Sequence, residues 1–98
     1  MSKLEPIIRR ALPVDAEGIA MLYAELVSHP AIVVLPERIA EVSQDSNTAL
    51  FVCEGDKGLC GTALVSLCAD VMFKSQPFAV VENVVVASSA RSQGIGTM

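Results

Sequence analysis

The sequence predicts an α/β fold, α+β-like in detail, with a mostly antiparallel sheet left open at its last strand. Three observations predict it. A short β-prone run at residues 7–12 gives way to helical periodicity from Asp15 onward. Two apolar runs flank the tight-turn tetrapeptide Gly55-Asp56-Lys57-Gly58, which is the pattern of a hairpin. A last apolar run at residues 78–87 carries Val84, Val85 and Val86 and leads into a glycine-bearing loop. The order is β-α-α-β-β-β and then the start of a helix, in one domain over residues 1–98.

The first strand ends at Pro13. Asp15 then opens a helix, where its carboxylate can accept bonds from the free N–H groups of the first turn and Glu17 suits the positive helix end. Ile19, Leu22 and Leu26 fall at i, i+3 and i+7 on one face, which Ala16, Ala20, Tyr23 and Val27 widen. His29-Pro30 stops this helix. After an apolar connector, Pro36 suits the first turn of a shorter helix to about Ser43, with Ile39 and Val42 as a narrow apolar edge.

Residues 44–48 are a polar loop and residues 49–54 the next strand. Two glycines supply the turn at residues 55–58, and the return strand runs from Leu59 to about Val71. Residues 74–77 connect to the last strand. Its valines are apolar on both sides, which suggests a central strand covered on both faces.

Composition excludes several classes. The chain has 98 residues and is 52% hydrophobic, too apolar for a disordered tail. A net charge of -4 argues against a general nucleic-acid binder, which needs a basic stripe. The mean hydropathy of +0.52 is high for so short a chain, so apolar surface is left for a partner or for more chain. The longest apolar-leaning stretch, residues 78–90, is interrupted by Glu82 and Asn83 and falls short of the roughly 20 residues of a membrane span. The N-terminus lacks the apolar core of a secretory signal. Cys53, Cys60 and Cys68 sit inside apolar runs, in no C-x-x-C spacing, and read as reduced core thiols of a cytoplasmic protein. With His29 the single histidine, no metal site is expected.

The segment that carries chemistry is residues 82–96. A strand enters a short polar loop and then Arg91-x-x-Gly94-x-Gly96. Glycines after a strand let backbone approach a ligand closely. A helix starting near Gly94 would aim free N–H groups at phosphate oxygens, with the fixed charge of Arg91 beside them. No Gly-Lys-Ser/Thr follows, so this is not a Walker A loop, and the third glycine of a dinucleotide fingerprint is missing. A plain glycine turn at a helix start remains the simpler reading of the loop taken alone.

Two stretches resemble the GNAT superfamily of acyl-CoA-dependent N-acyltransferases. Ile8-Arg9-x-Ala11 with Asp15, Ile19, Leu22 and Leu26 is similar to that family's opening strand and first helix. Glu82-Asn83-Val84-Val85-Val86, followed by Arg91-Ser92-Gln93-Gly94-Ile95-Gly96, looks like its acyl-CoA motif, Gln/Arg-x-x-Gly-x-Gly/Ala after a Val-rich strand. The hairpin at residues 55–58, with Gly61 early in the return strand, also fits.

The resemblance implies an acetyl-CoA-dependent N-acetyltransferase acting on a primary amine of a small molecule or peptide. The backbone of Val84, Val85 and Val86 would pair with the pantetheine arm, and one strand amide would polarise the thioester carbonyl. Arg91, Ser92, Gln93, Gly94, Ile95 and Gly96 would hold the pyrophosphate, with Thr97 adding its hydroxyl. Glu82 is the catalytic candidate: an unpaired carboxylate inside an apolar strand is costly, and burial would poise it as a base, while the plainer alternative is that it pairs with a neighbouring strand residue or faces solvent. Asn83 is expected on the opposite face. Tyr23 and His29 fall near the end of the first helix, where the family often builds its acceptor pocket, though packing explains both. Met21, Met72 and Phe73 read as packing residues.

Family members continue with a helix, a parallel strand, another helix and a closing hairpin. A sequence ending at Met98 is therefore expected to be the N-terminal portion of the domain, whether truncated or part of a longer protein. The alternative is a non-catalytic module of the same fold that forms a homodimer through its open strand. A more distant alternative is a nucleotide-phosphate binder using the same loop.

Overall fold

A computed structural model of the chain describes residues 5–27, 31–69 and 77–87. Its elements run β1 (Ile7–Arg10), α1 (Ala16–Leu26), α2 (Pro36–Gln44), β2 (Thr48–Gly55), β3 (Gly58–Cys68) and β4 (Phe78–Val86). The four strands form one antiparallel sheet in the order β1-β2-β3-β4. The expected α/β plan is therefore what the chain adopts. β2, β3 and β4 pair with their neighbours in sequence, and β1 returns to β2 across both helices.

A single 3-10 turn, Pro13–Asp15, joins β1 to α1. Here one expectation is corrected. The Asp15 carboxylate makes no cap bond to α1. It reaches back instead, accepting from Leu12 N–H at 2.7 Å and from the Arg9 guanidinium. The 3-10 turn stands between β1 and α1, so the carboxylate of its last residue faces the strand it has just left.

α1 stops at Leu26, before the expected His29-Pro30, and Val27 N–H closes its last turn onto Tyr23 O. Ile19 and Leu22 are buried, but Leu26 and Met21 are exposed, so the buried stripe is shorter than the periodicity implied. α2 begins on Pro36 as expected and buries Ile39.

The core has two parts. Ala11, Ala16, Ile19, Ile39 and Val52 pack where both helices meet β2. Leu22, Cys53, Val85 and Ala87 pack where α1 meets the other end of the sheet. Val52 and Ile19 are fully buried.

In the β2–β3 turn only Gly58 needs glycine's freedom, at φ 109°. Gly61 is needed for a different reason. A Cβ there would lie 3.2 Å from Val85 O and 3.5 Å from Cys53 Cβ, so the missing side chain lets β4 lie close against β3.

β4 departs from the expected central strand. Among the described residues it pairs with β3 alone and has no strand on its other side. Val85 is buried against α1, whereas Val84 is 55% exposed. The register also shifts. Thr62 faces Val85 and Leu64 faces Glu82, which leaves Asn83 and Val84 opposite Ala63 alone. This is a β-bulge, and Asn83 takes it up with a left-handed backbone, φ 53°.

Candidate functional site

The site is built on β4. Two cross-strand pairs place Glu82: Leu50 lies opposite Leu64, and Leu64 lies opposite Glu82. Directly opposed residues in an antiparallel sheet share a face. Leu50, Leu64 and Glu82 therefore form one row across three strands. Leu50 and Leu64 line a cavity of about 400 Å³ between α1, α2 and the sheet. The Glu82 carboxylate stands on the face that this cavity occupies.

Glu82 itself is exposed, which decides for the solvent-facing alternative over burial. Among the described residues β4 has no outer strand, and its apolar neighbours Val81 and Val84 are exposed as well, at 57% and 55%. An apolar sequence context does not by itself bury a residue. Asn83 stands in the bulge rather than simply alternating to the opposite face. The alternation rule could not foresee this, although asparagine is among the few residues that tolerate the left-handed region.

A smaller cavity of about 160 Å³ runs along Val84, Val85 and Val86, with Gly61 and Cys53 among its lining. The residues expected to hold a pyrophosphate, Arg91, Ser92, Gln93, Gly94, Ile95, Gly96 and Thr97, lie outside the described residues. So do His29, Met72 and Phe73.

The larger cavity was legible in part, since Tyr23, placed by the resemblance near an acceptor pocket, lines it. Its apolar lining comes from Ile19, Tyr23, Val33, Val34, Leu35, Ile39, Val42, Leu50 and Leu64, and its polar groups are Arg38, Glu41, Asp45 and Thr48. Arg38 donates to Glu41 at 3.0 Å. Asp45 accepts from Asn47 N–H at 2.8 Å and from the Thr48 hydroxyl at 3.3 Å. Burial pushes the Tyr23 phenol upward, so it stays protonated and can both donate and accept.

The cysteines are free thiols, and Cys53 is buried as expected. Cys60 and Cys68 are half-buried. Among the described residues no three His, Cys, Asp or Glu side chains cluster as metal ligands. No helix of the described residues is long and apolar enough to cross a membrane.

A strand, two helices and an antiparallel meander ending in a bulged valine strand define a class, the N-terminal portion of the GNAT acyltransferase fold. The GNAT acetyltransferase family model matches residues 17–98, and the chain belongs to that family. Solved structures agree. A protein from Agrobacterium tumefaciens str. C58 with a provisional acetyltransferase assignment superposes with a TM-score of 0.79 at 26% identity, over 92% of this chain and 65% of its own. Glucosamine-6-phosphate N-acetyltransferase from Arabidopsis thaliana gives 0.81 at 20% identity, over 95% and 67%. An aminoglycoside N-acetyltransferase in complex with CoA gives 0.77 at 21% identity, over 99% and 64%. The chain thus spans about two thirds of the length of these structures. The comparison with curated proteins found no match.

Proposed function

We propose that the protein of which this chain forms all or part transfers an acetyl group from acetyl-CoA to a primary amine of a small molecule or peptide. Family membership supports acyl-CoA as donor. The observation that carries the reading further is the row Leu50, Leu64, Glu82, which sets a carboxylate on the same sheet face as the apolar cavity.

An amine reaches the site as an ammonium ion, which has no free electron pair. Glu82 takes the proton, directly or through one water, and leaves the amine nucleophilic. Exposure suits a carboxylate that must exchange that proton with solvent. The outer side of β4, without a strand among the described residues, fits a donor whose pantetheine amides extend the sheet. In this reading the backbone of Val84, Val85 and Val86 supplies that edge, and one of its amides stabilises negative charge on the thioester oxygen. Arg91 and the loop through Thr97 neutralise and bind the pyrophosphate.

The test is unfolding of the chain by heat with and without excess acetyl-CoA, followed by acetyl-CoA-dependent thiol release with a panel of amines. Ligand at 100 times its dissociation constant should add about 2.7 kcal/mol. Stabilisation by acetyl-CoA and not by ATP or NAD, with thiol release that needs an amine, is the expected result. Stabilisation by ATP or NAD alone would replace the acetyltransferase reading with a nucleotide-binding one.

A further inference from the structure

We infer that the cavity between α1, α2 and the sheet takes an acceptor whose primary amine is carried on an apolar body, and that it disfavours amines bearing phosphate or carboxylate. The inference rests on the acetyl-transfer reading for the word acceptor, while its claim about what the cavity binds stands on the cavity alone.

Volume comes first. At about 400 Å³ the cavity falls within the usual range of small-molecule sites. Its lining is mainly aliphatic: Val33, Val34 and Leu35 from the connector, Ile39 from α2, and Leu50 and Leu64 from the sheet. Such walls offer a sugar or a phosphate few hydrogen bonds to replace those it leaves in water.

Charge comes second. The lining holds one cation, Arg38, and that cation is already tied to Glu41 at 3.0 Å. Asp45 accepts from neutral donors, Asn47 N–H and the Thr48 hydroxyl. Among the described residues it makes no ion pair. Its negative charge is left for a cation in the cavity. Glu82 lies on the same sheet face, opposite Leu64, but outside the cavity's lining. An ammonium group meets the Asp45 carboxylate, whereas an anionic substituent meets repulsion from Asp45 and Glu41 and finds only an exposed guanidinium shared with Glu41.

The experiment follows backbone amide shifts of the chain during titration with 2-phenylethylamine, 2-phenylethanol and phosphoethanolamine. The expected result is saturable shifts at Val34, Thr48, Leu50 and Leu64 with the amine. The neutral alcohol should bind the same residues about threefold or more weakly, the size of one partly screened charge contact. Phosphoethanolamine should leave these residues unmoved. D45N keeps the turn bonds and removes the charge, so it should bring amine and alcohol to near parity. V34F should fill the cavity and weaken both. Equal binding of amine and alcohol to the wild-type chain, a preference for phosphoethanolamine, or shifts confined to other residues would each overturn the inference. A parallel titration with acetyl-CoA separates the two readings. Amine binding here, with no acetyl-CoA binding by this chain or by a longer one that completes the domain, defeats acetyl transfer and leaves the cavity as an amine site. Acetyl-CoA binding with no amine preference defeats the inference alone.

Discussion

Arg9 holds Asp15 through two parallel hydrogen bonds, Nη1 to Oδ2 at 2.8 Å and Nη2 to Oδ1 at 2.9 Å. The same guanidinium donates Nε to Glu54 at 3.2 Å. One side chain thus ties together β1, the turn into α1 and the end of β2. Fork-to-carboxylate geometry gives direction as well as attraction.

Asp15 is only 6% exposed, while the Arg9 side chain is 29% exposed and keeps some contact with water. Removing either partner should therefore cost about 2–3 kcal/mol, below the full penalty of an orphaned buried charge. The Arg9 hydrogen bonds hold the Asp15 carboxyl below the usual carboxylate range. A lowered folded value means stability that is complete above the unfolded pKa and lost as pH falls through the folded one. In urea unfolding, D15N should be the weaker protein at pH 7, and the gap should close progressively below about pH 4. A gap that does not depend on pH would show that the Asp15 charge contributes nothing.

Gly61 predicts a steric result. G61V places atoms where Val85 O stands 3.2 Å from the first of them. The β3–β4 pair must spread, at about 1–3 kcal/mol, and G61A should cost less. The ordering of the two variants in urea midpoint is the check, and equal stability to wild type would remove the close approach as the reason for glycine.

Asn83 predicts a backbone result. At φ 53°, N83G should be neutral or slightly stabilising, while N83V should cost about 1–2 kcal/mol. Because the bulge lies between Glu82 and Val85, acetyl-CoA affinity should fall for the valine variant and hold for the glycine one. Loss of affinity in both would assign the effect to the asparagine side chain instead.

For the reaction, E82Q should lower turnover about 10²–10⁴-fold with acetyl-CoA affinity unchanged, since the amide cannot take a proton. Steady-state rates beside a direct binding titration separate the two. Unchanged turnover would remove Glu82 as the base.

Burial, with a side-chain hydrogen bond of the Cys53 thiol to Cys60, pushes that thiol up to about 11. A thiol reagent at pH 8 should therefore modify Cys53 slowly in the folded chain and quickly in urea, because only the thiolate reacts. Rapid modification of Cys53 without unfolding would contradict its burial.

The periodicity of Ile19, Leu22 and Ile39, the prolines at the helix starts and the Gly55-to-Gly58 turn carried the element order, because each is a local rule. What they missed depends on distant partners. Asp15 has the residue type of a cap, but Arg9 and Leu12 N–H compete for it and win. Glu82 lies in an apolar run, but exposure depends on which strand lies beside β4. The cavity joins a connector, two helices and two strands, and no spacing along the chain announces such a meeting.

The strand order has a kinetic consequence. β2, β3 and β4 can form by successive zipping of sequence neighbours, with little chain entropy to overcome at each step. β1 cannot. On a ribosome it emerges early, yet Ile7 must wait for Glu54 and Arg10 for Phe51 before it has any strand to pair with. Until then its row of Ile7, Ile8, Arg9 and Arg10 travels unpaired, and it is a strand of only four residues. In the finished sheet the same feature sets the order of opening. β1 closes the longest loop for the fewest ladder bonds, so its amides should be the first in the sheet to exchange with solvent, with the Arg9 clamp as the latch that delays them.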